Sequence, residues 1–188
     1  FTKRSRAYLE IQNGCDHSCT FCIIPQGRGL SKSVPMATIL EKIRNLVSKG
    51  FKEIVLTGVD ITCWGSDIAG NDKLGDLVIK ILNEAPDLPR LRLSSVDVSE
   101  MDDRLLHVFK TNKRMMPHLH LSLQSGNNLI LKRMKRRHSR EQAIDLCRKL
   151  KAARPELTFG ADLITGFPTE SDTMFLDTVK LVNECDIS

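Results

Sequence analysis

The 188-residue sequence has no apolar run long enough for a membrane helix, and its first residues, FTKRSRA, lack the apolar stretch of a signal peptide. These absences lead to the expectation of a cytoplasmic protein with no membrane partner. An initiating methionine is also missing at Phe1, so the chain is read as a fragment of something longer. No low-complexity segment, long linker or composition shift marks an internal boundary, and residues 1–188 are expected to form one domain. The six cysteines are not spread as a secreted disulfide framework would be, which points to a reducing compartment. A second knuckle of paired ligands, which a structural zinc site normally draws on, is missing as well.

What is present suits a folded domain. Apolar residues make up 41% and charged residues 27% of the chain, enough for one sizeable core. With 28 basic and 23 acidic residues the net charge is +5, a mild excess that favours polyanions without requiring them.

Apolar spacing predicts an alternation of strands and helices. Strands are expected at 8–12, 54–56, 91–95, 118–123 and 159–164. Helices are expected from Pro35 to Gly50, over 74–82, around 102–110, after the capping box of Ser139 and Gln142, and over 171–183. The last residues, CDIS, are placed where another strand would begin. Such alternation implies right-handed crossovers and a parallel sheet, either a partial barrel or an open doubly wound sheet. Each predicted strand ends in polar residues: Cys15, Thr57 with Asp60, Ser94 with Ser95, Gln124 with Ser125, and Asp162 with Thr165. Ligands of parallel α/β folds bind beyond the carboxyl ends of strands, so these groups are expected to converge. Each one alone reads equally well as a turn or helix cap.

The segment NGCDHSCTFCIIPQGRG carries Cys15, Cys19 and Cys22. Zinc would need a fourth ligand, from His17 or a distant cysteine such as Cys63. A redox pair of Cys19 and Cys22 would leave Cys15 idle. An iron–sulfur cluster with three protein thiolates fits one loop and leaves one iron open.

The pattern CxxxCxΦC, with Phe21 before Cys22 and at the end of the first predicted strand, resembles the signature of the radical S-adenosylmethionine (SAM) enzymes. The resemblance implies a partial (β/α)6 barrel of TIM-like type, here ending before its sixth strand. It implies a 4Fe–4S cluster held by Cys15, Cys19 and Cys22, whose open iron chelates SAM and whose electron cleaves it to a 5′-deoxyadenosyl radical. The stretches EIVLTGVDI, LRLSSVD, HLHLSLQSGNNLILKRMKRRHS and DLITGFPTES further resemble the methylthiotransferase branch. GRG followed by SKSVP is most similar to the tRNA enzymes acting on N6-threonylcarbamoyladenosine. The alternatives are enzymes acting on N6-isopentenyladenosine in tRNA or on a ribosomal protein, and a non-catalytic zinc- or RNA-binding module.

That likeness implies replacement of the adenosine C2 hydrogen by a methylthio group, with tRNA as substrate and a flavodoxin or ferredoxin as electron donor. Phe21 would pack beside the cluster or the adenine, and Ile23 to Pro25 would offer backbone groups to the adenine. Gln124, Ser125 and, less directly, Asp162 are the candidates for contacts to SAM. The basic run KRMKRRHSR, residues 132–140, reads as a solvated helix end before it reads as a tRNA contact, and Arg28 and Lys32 are better placed for substrate. Trp64 reads as a loop anchor, and Cys147 as a small core residue. Family members also carry an N-terminal second-cluster domain and a C-terminal RNA-binding domain, neither of which these 188 residues contain, so the fragment alone is expected to hold a cluster without completing turnover.

Overall fold

The computed structural model describes residues 5–188. Its first strand, β1 (Arg6–Asn13), buries Ala7, Leu9 and Ile11 and leaves Arg6, Tyr8 and Glu10 on the opposite face, the period of two that a half-covered strand requires. The remaining strands are β2 (Lys32–Ser33), β3 (Glu53–Gly58), β4 (Arg90–Leu93), β5 (Ser95–Val96), β6 (His118–Gln124) and β7 (Thr158–Leu163). The helices are α1 (Ile24–Arg28), α2 (Met36–Ser48), α3 (Leu74–Glu84), α4 (Asp103–Thr111), α5 (Asn128–Arg133), α6 (Arg140–Ala153) and α7 (Asp172–Glu184), with 3-10 turns at Ile61–Cys63 and Val98–Glu100.

Hydrogen bonding orders the strands β2-β1-β3-β4 and β5-β6-β7. All neighbours are parallel except β2, which returns antiparallel to β1. The two ladders form one curled half-barrel sheet, because Leu91 also bonds the chain ahead of β6 through Arg114 O (2.8 Å) and Met116 N (2.9 Å). The expected strand 91–95 is split at Ser94. Ser94 N still donates to Leu56 O (2.9 Å), whereas Ser95 and Val96 pair with His120 and Leu121. A curling sheet hands its middle strand from one neighbour to the next at this point.

Helices cover one face of the sheet. Ile39 and Ile43 of α2, Leu77 and Ile81 of α3, Leu105 and Phe109 of α4 and Leu146 and Leu150 of α6 join Leu9, Leu56, Leu121 and Phe159 of the strands in one core. Each such side chain contributes about 1.5–3 kcal/mol relative to an exposed one. The other face is polar: along β6, His118, His120, Ser122 and Gln124 alternate with the buried Leu119, Leu121 and Leu123. The Ser139–Gln142 capping box opens α6 as predicted, while α1, β2 and α5 are additional elements. Beside β7, Ser188 N donates to Phe159 O (2.9 Å) and Ile187 bridges Phe159, so strand pairing begins where CDIS was expected to start a strand. No helix among the described residues is long and apolar enough to cross a membrane.

Candidate metal centre

Backbone geometry around β1 sets up the cysteine loop. A register shift between Glu10 and Gln12 turns the Gln12 side chain into the protein, where it is fully buried. Its Oε1 accepts from Asp60 N (2.8 Å), and its Nε2 donates to Gly14 O (2.7 Å) and Ser31 Oγ (2.9 Å). One amide thereby ties the ends of β1 and β3 to the returning β2 segment. The loop is closed by Cys15 N donating to Gly29 O (3.1 Å) and by Asp16 Oδ1 accepting from Ser31 N (2.8 Å). Its outer turn is fastened to the end of α5, where Thr20 N donates to Met134 O (3.2 Å) and Thr20 Oγ1 to Arg133 O (3.0 Å).

A cleft of about 280 Å3 opens at the carboxyl ends of the strands. Cys15, Cys19, Phe21 and Cys22 form one wall, and Asp60, Asp97, Gln124, Arg136 and Asp162 contribute to the rest. The three thiols are half-buried and unpaired. Burial pushes the Cys15 thiol up to about 11, with the Asp60 carboxylate and the other two thiols adding to the effect. Three convergent thiols on one wall are a donor set that a cationic cluster would complete.

One cation faces them. Arg136 Nη1 lies 3.7 Å from Cys19 Sγ, while Nη2 donates to Asp97 Oδ2 (2.7 Å) and to Ser122 O (2.9 Å). Burial alone would raise the Asp97 carboxyl, but Arg136, the two Ser99 hydrogen bonds and Arg137 outweigh it and hold the carboxyl below its usual range. Arg136 is thus fixed as a buried charge beside the thiols.

The expected site residues separate into two groups. Cys15, Cys19, Cys22, Phe21, Gln124 and Asp162 share the cleft. Gln124 does so with φ +66, an uncommon backbone for a non-glycine residue that turns its side chain at the end of β6. Asp162 Oδ1 also meets His120 Nε2 at 3.3 Å. Ile23 and Ser125 are not among the cleft-lining residues, whereas Ile24, in the same Ile23 to Pro25 stretch, is. The Ile23 side chain is exposed at the start of α1. The Ser125 hydroxyl is buried against Thr178 Oγ1 (3.3 Å) and accepts from Asn127 N (3.2 Å), bracing the turn after Gln124. Trp64 anchors its loop through Nε1 to Val34 O (2.9 Å), and Cys147 is buried in the core. Gln12 and Arg136 went unread in the sequence; for Arg136 the signal was hidden inside a run of basic residues.

The family model described as the Radical SAM superfamily matches residues 9–182, and the chain belongs to this superfamily of enzymes. Among individual proteins, it is 52% identical over 187 residues to the threonylcarbamoyladenosine tRNA methylthiotransferase MtaB of Rickettsia prowazekii, covering 100% of this chain and 44% of that protein. It is 40% identical over 184 residues to the tRNA-2-methylthio-N(6)-dimethylallyladenosine synthase of Halalkalibacterium halodurans, covering 97% of this chain and 34% of that protein. The chain therefore spans less than half the length of these relatives. In fold it is similar to the radical S-adenosylmethionine methyltransferase TsrM from Kitasatospora setae, solved with cobalamin and a 4Fe–4S cluster bound (TM-score 0.77, 17% identity, 96% of this chain and 34% of that one).

Proposed function

We propose that residues 1–188 are the radical-generating core of an enzyme that adds a methylthio group to C2 of N6-threonylcarbamoyladenosine, next to the anticodon of tRNA. The observation that carries this reading is the sharing of one cleft by the Cys15, Cys19 and Cys22 thiols with Gln124 and Asp162 at the carboxyl ends of the strands. Three thiols on one wall suit a 4Fe–4S cluster with one iron left open for SAM. Cys15, Cys19 and Cys22 would hold the cluster, which would supply the electron for cleaving SAM to a 5′-deoxyadenosyl radical able to take the C2 hydrogen. A second SAM would supply the methyl group, and by the family likeness a second iron–sulfur cluster of the whole protein would supply or relay the sulfur.

The chain's own residues bind and orient. Arg136 holds positive charge beside Cys19, Gln124 and Asp162 offer polar groups to SAM, and Phe21 shields the cluster side of the cleft. Ser125 acts as a positioning residue for Gln124 through Thr178. Exposed Arg28 and Lys32, just beyond the cysteine loop, supply positive charge for tRNA phosphates. The 52% identity to the Rickettsia prowazekii MtaB supports the threonylcarbamoyl substrate. The electron would come from a flavodoxin or ferredoxin in the cytoplasm.

Anaerobic reconstitution tests the reading. About four irons per chain are expected, lost in a Cys15, Cys19, Cys22→Ala variant, with 5′-deoxyadenosine formed from SAM and dithionite. Zinc held by these cysteines with no iron uptake and no SAM cleavage would overturn it. Expression of the whole protein that carries this chain, in cells lacking the modification, should yield 2-methylthio-N6-threonylcarbamoyladenosine in tRNA. The dimethylallyl product in its place would reassign the substrate.

A further inference from the structure

We propose that His17, Asp60, Cys63 and Glu100 form a second metal site, adjoining the three-cysteine cleft, for one divalent cation of the zinc class. The four residues come from three different loops: His17 from the cysteine loop, Asp60 and Cys63 from the turn after β3, and Glu100 from the 3-10 turn after β5. One donor atom of each lies within 4.8 Å of all the others. His17 Nε2 is 3.0 Å from Asp60 Oδ2, 3.3 Å from Glu100 Oε1 and 3.4 Å from Cys63 Sγ, and Cys63 Sγ is 3.0 Å from Glu100 Oε1. A tetrahedron with zinc–nitrogen and zinc–oxygen bonds of about 2.0 Å and a zinc–sulfur bond of about 2.3 Å has edges of roughly 3.3–3.5 Å. The four recorded edges lie within a few tenths of an ångström of that range, so a cation can enter with small side-chain movements.

Surrounding groups hold the donors in place. Asp60 Oδ1 accepts from Thr62 Oγ1 (2.8 Å), and Asp60 N donates to Gln12 (2.8 Å). Arg137 Nη1 donates to Glu100 Oε1 (2.6 Å). The other oxygen, Glu100 Oε2, is buried with no hydrogen-bond partner among the described residues, and such an atom is costly unless something binds it. A thiol, an imidazole and two carboxylates select a borderline cation such as zinc over magnesium or calcium, which prefer oxygen alone. Cys63 and Glu100 also line a groove of about 540 Å3 with Trp64 and Ser99, while His17 and Asp60 line the three-cysteine cleft, so the cluster of donors lies between the two openings. His17 and Cys63 thus meet each other and two carboxylates instead of completing a zinc site with Cys15, Cys19 and Cys22. A bound cation would link three loops at the rim of the cleft.

Cobalt(II) titration reads the site directly, because a thiolate ligand gives a charge-transfer band and a tetrahedral site gives intense visible bands. In a Cys15, Cys19, Cys22→Ala background, one equivalent of cobalt should bind near neutral pH with both signals. Adding Cys63→Ser should abolish the charge-transfer band, and adding Glu100→Gln should weaken binding about tenfold or more. Cys147→Ala, in the core, should leave both signals unchanged. The complementary measurement uses the cluster-loaded protein: after incubation with zinc and desalting, one zinc per chain is expected alongside the iron, lost on Cys63→Ser while the iron is kept. Absence of the thiolate band together with no retained zinc, or binding indifferent to Cys63→Ser, would overturn the proposal. The cobalt titration uses no cluster, SAM or tRNA, so a failure of the radical reading leaves its result standing.

Discussion

At the scale of a residue, position 14 admits one amino acid. Gly14 has φ +73, and a Cβ there would lie 2.1 Å from the carbonyl oxygen of Leu30, backbone that leads directly into β2. Gly14→Ala is therefore expected to cost at least about 2 kcal/mol and to lower iron uptake on anaerobic reconstitution. Gly27→Ala, where an added Cβ meets open space, is the control and should keep full uptake. Thermal melts and iron content check both variants, and equal iron uptake would mean the loop shifts without harm. Cys15, Cys19 and Cys22 were legible because their spacing is itself chemical information, and Gln124 and Asp162 because strand ends are where α/β folds place polar groups. Arg136 was illegible for a different reason. It is one of six basic residues in KRMKRRHSR, and its inward turn follows Lys135, whose φ of +57 has no mark in composition.

At the scale of elements, β3 is held between its neighbours by a charge as well as by its ladder. Glu53 opens the strand almost sealed from solvent, with Arg6 Nε of β1 at 2.8 Å and Arg92 Nε of β4 at 2.9 Å from Oε1, and Arg90 Nε of β4 at 3.1 Å from Oε2. Burial by itself would raise the Glu53 carboxyl. The hydrogen bonds from Arg92 and Arg90 and the charge of Arg6 outweigh it and hold it below the usual range. A depressed folded value means stability that is complete above the unfolded value of about 4.3 and is lost as the pH falls through the folded one. The arginines are partly exposed, so Glu53→Gln is expected to cost about 2 kcal/mol at neutral pH, less than a fully buried pair would. Urea unfolding at neutral pH and below about pH 4 should show the gap to wild type narrowing in acid; a gap independent of pH would assign the cost to packing. Helices and strands were legible from apolar periods of 3.6 and 2. The break at Ser94 and the two-residue β2 were not, since both are set by partners distant in sequence.

At the scale of the molecule, two nearly buried arginines mark opposite ends of the half-barrel. Arg154 sits at the amino-terminal end of the sheet, where its Nη1 donates to Phe109 O (3.3 Å), Asn112 O (3.4 Å) and Met115 O (2.8 Å) at the end of α4. Arg114 treats the end of α3 in the same way, through Leu82, Ala85 and Leu88 carbonyls. Carbonyls at a helix end have no partners within the helix, so these guanidinium groups close the bottom of successive units. Arg136 sits at the carboxyl end and divides its donors between Asp97, Ser122 and the Cys19 sulfur. Arg154→Met is expected to lower stability by about 2–3 kcal/mol and to leave iron content and SAM cleavage per folded molecule unchanged. Arg136→Met also loses stability, but at a temperature where it is fully folded its SAM cleavage should still fall about tenfold or more. Cleavage rates measured at matched folded fraction separate the two. Equal catalytic loss in both variants would mean that the ends of the sheet are not divided between stability and chemistry, and that the cleft depends on the whole core for its shape.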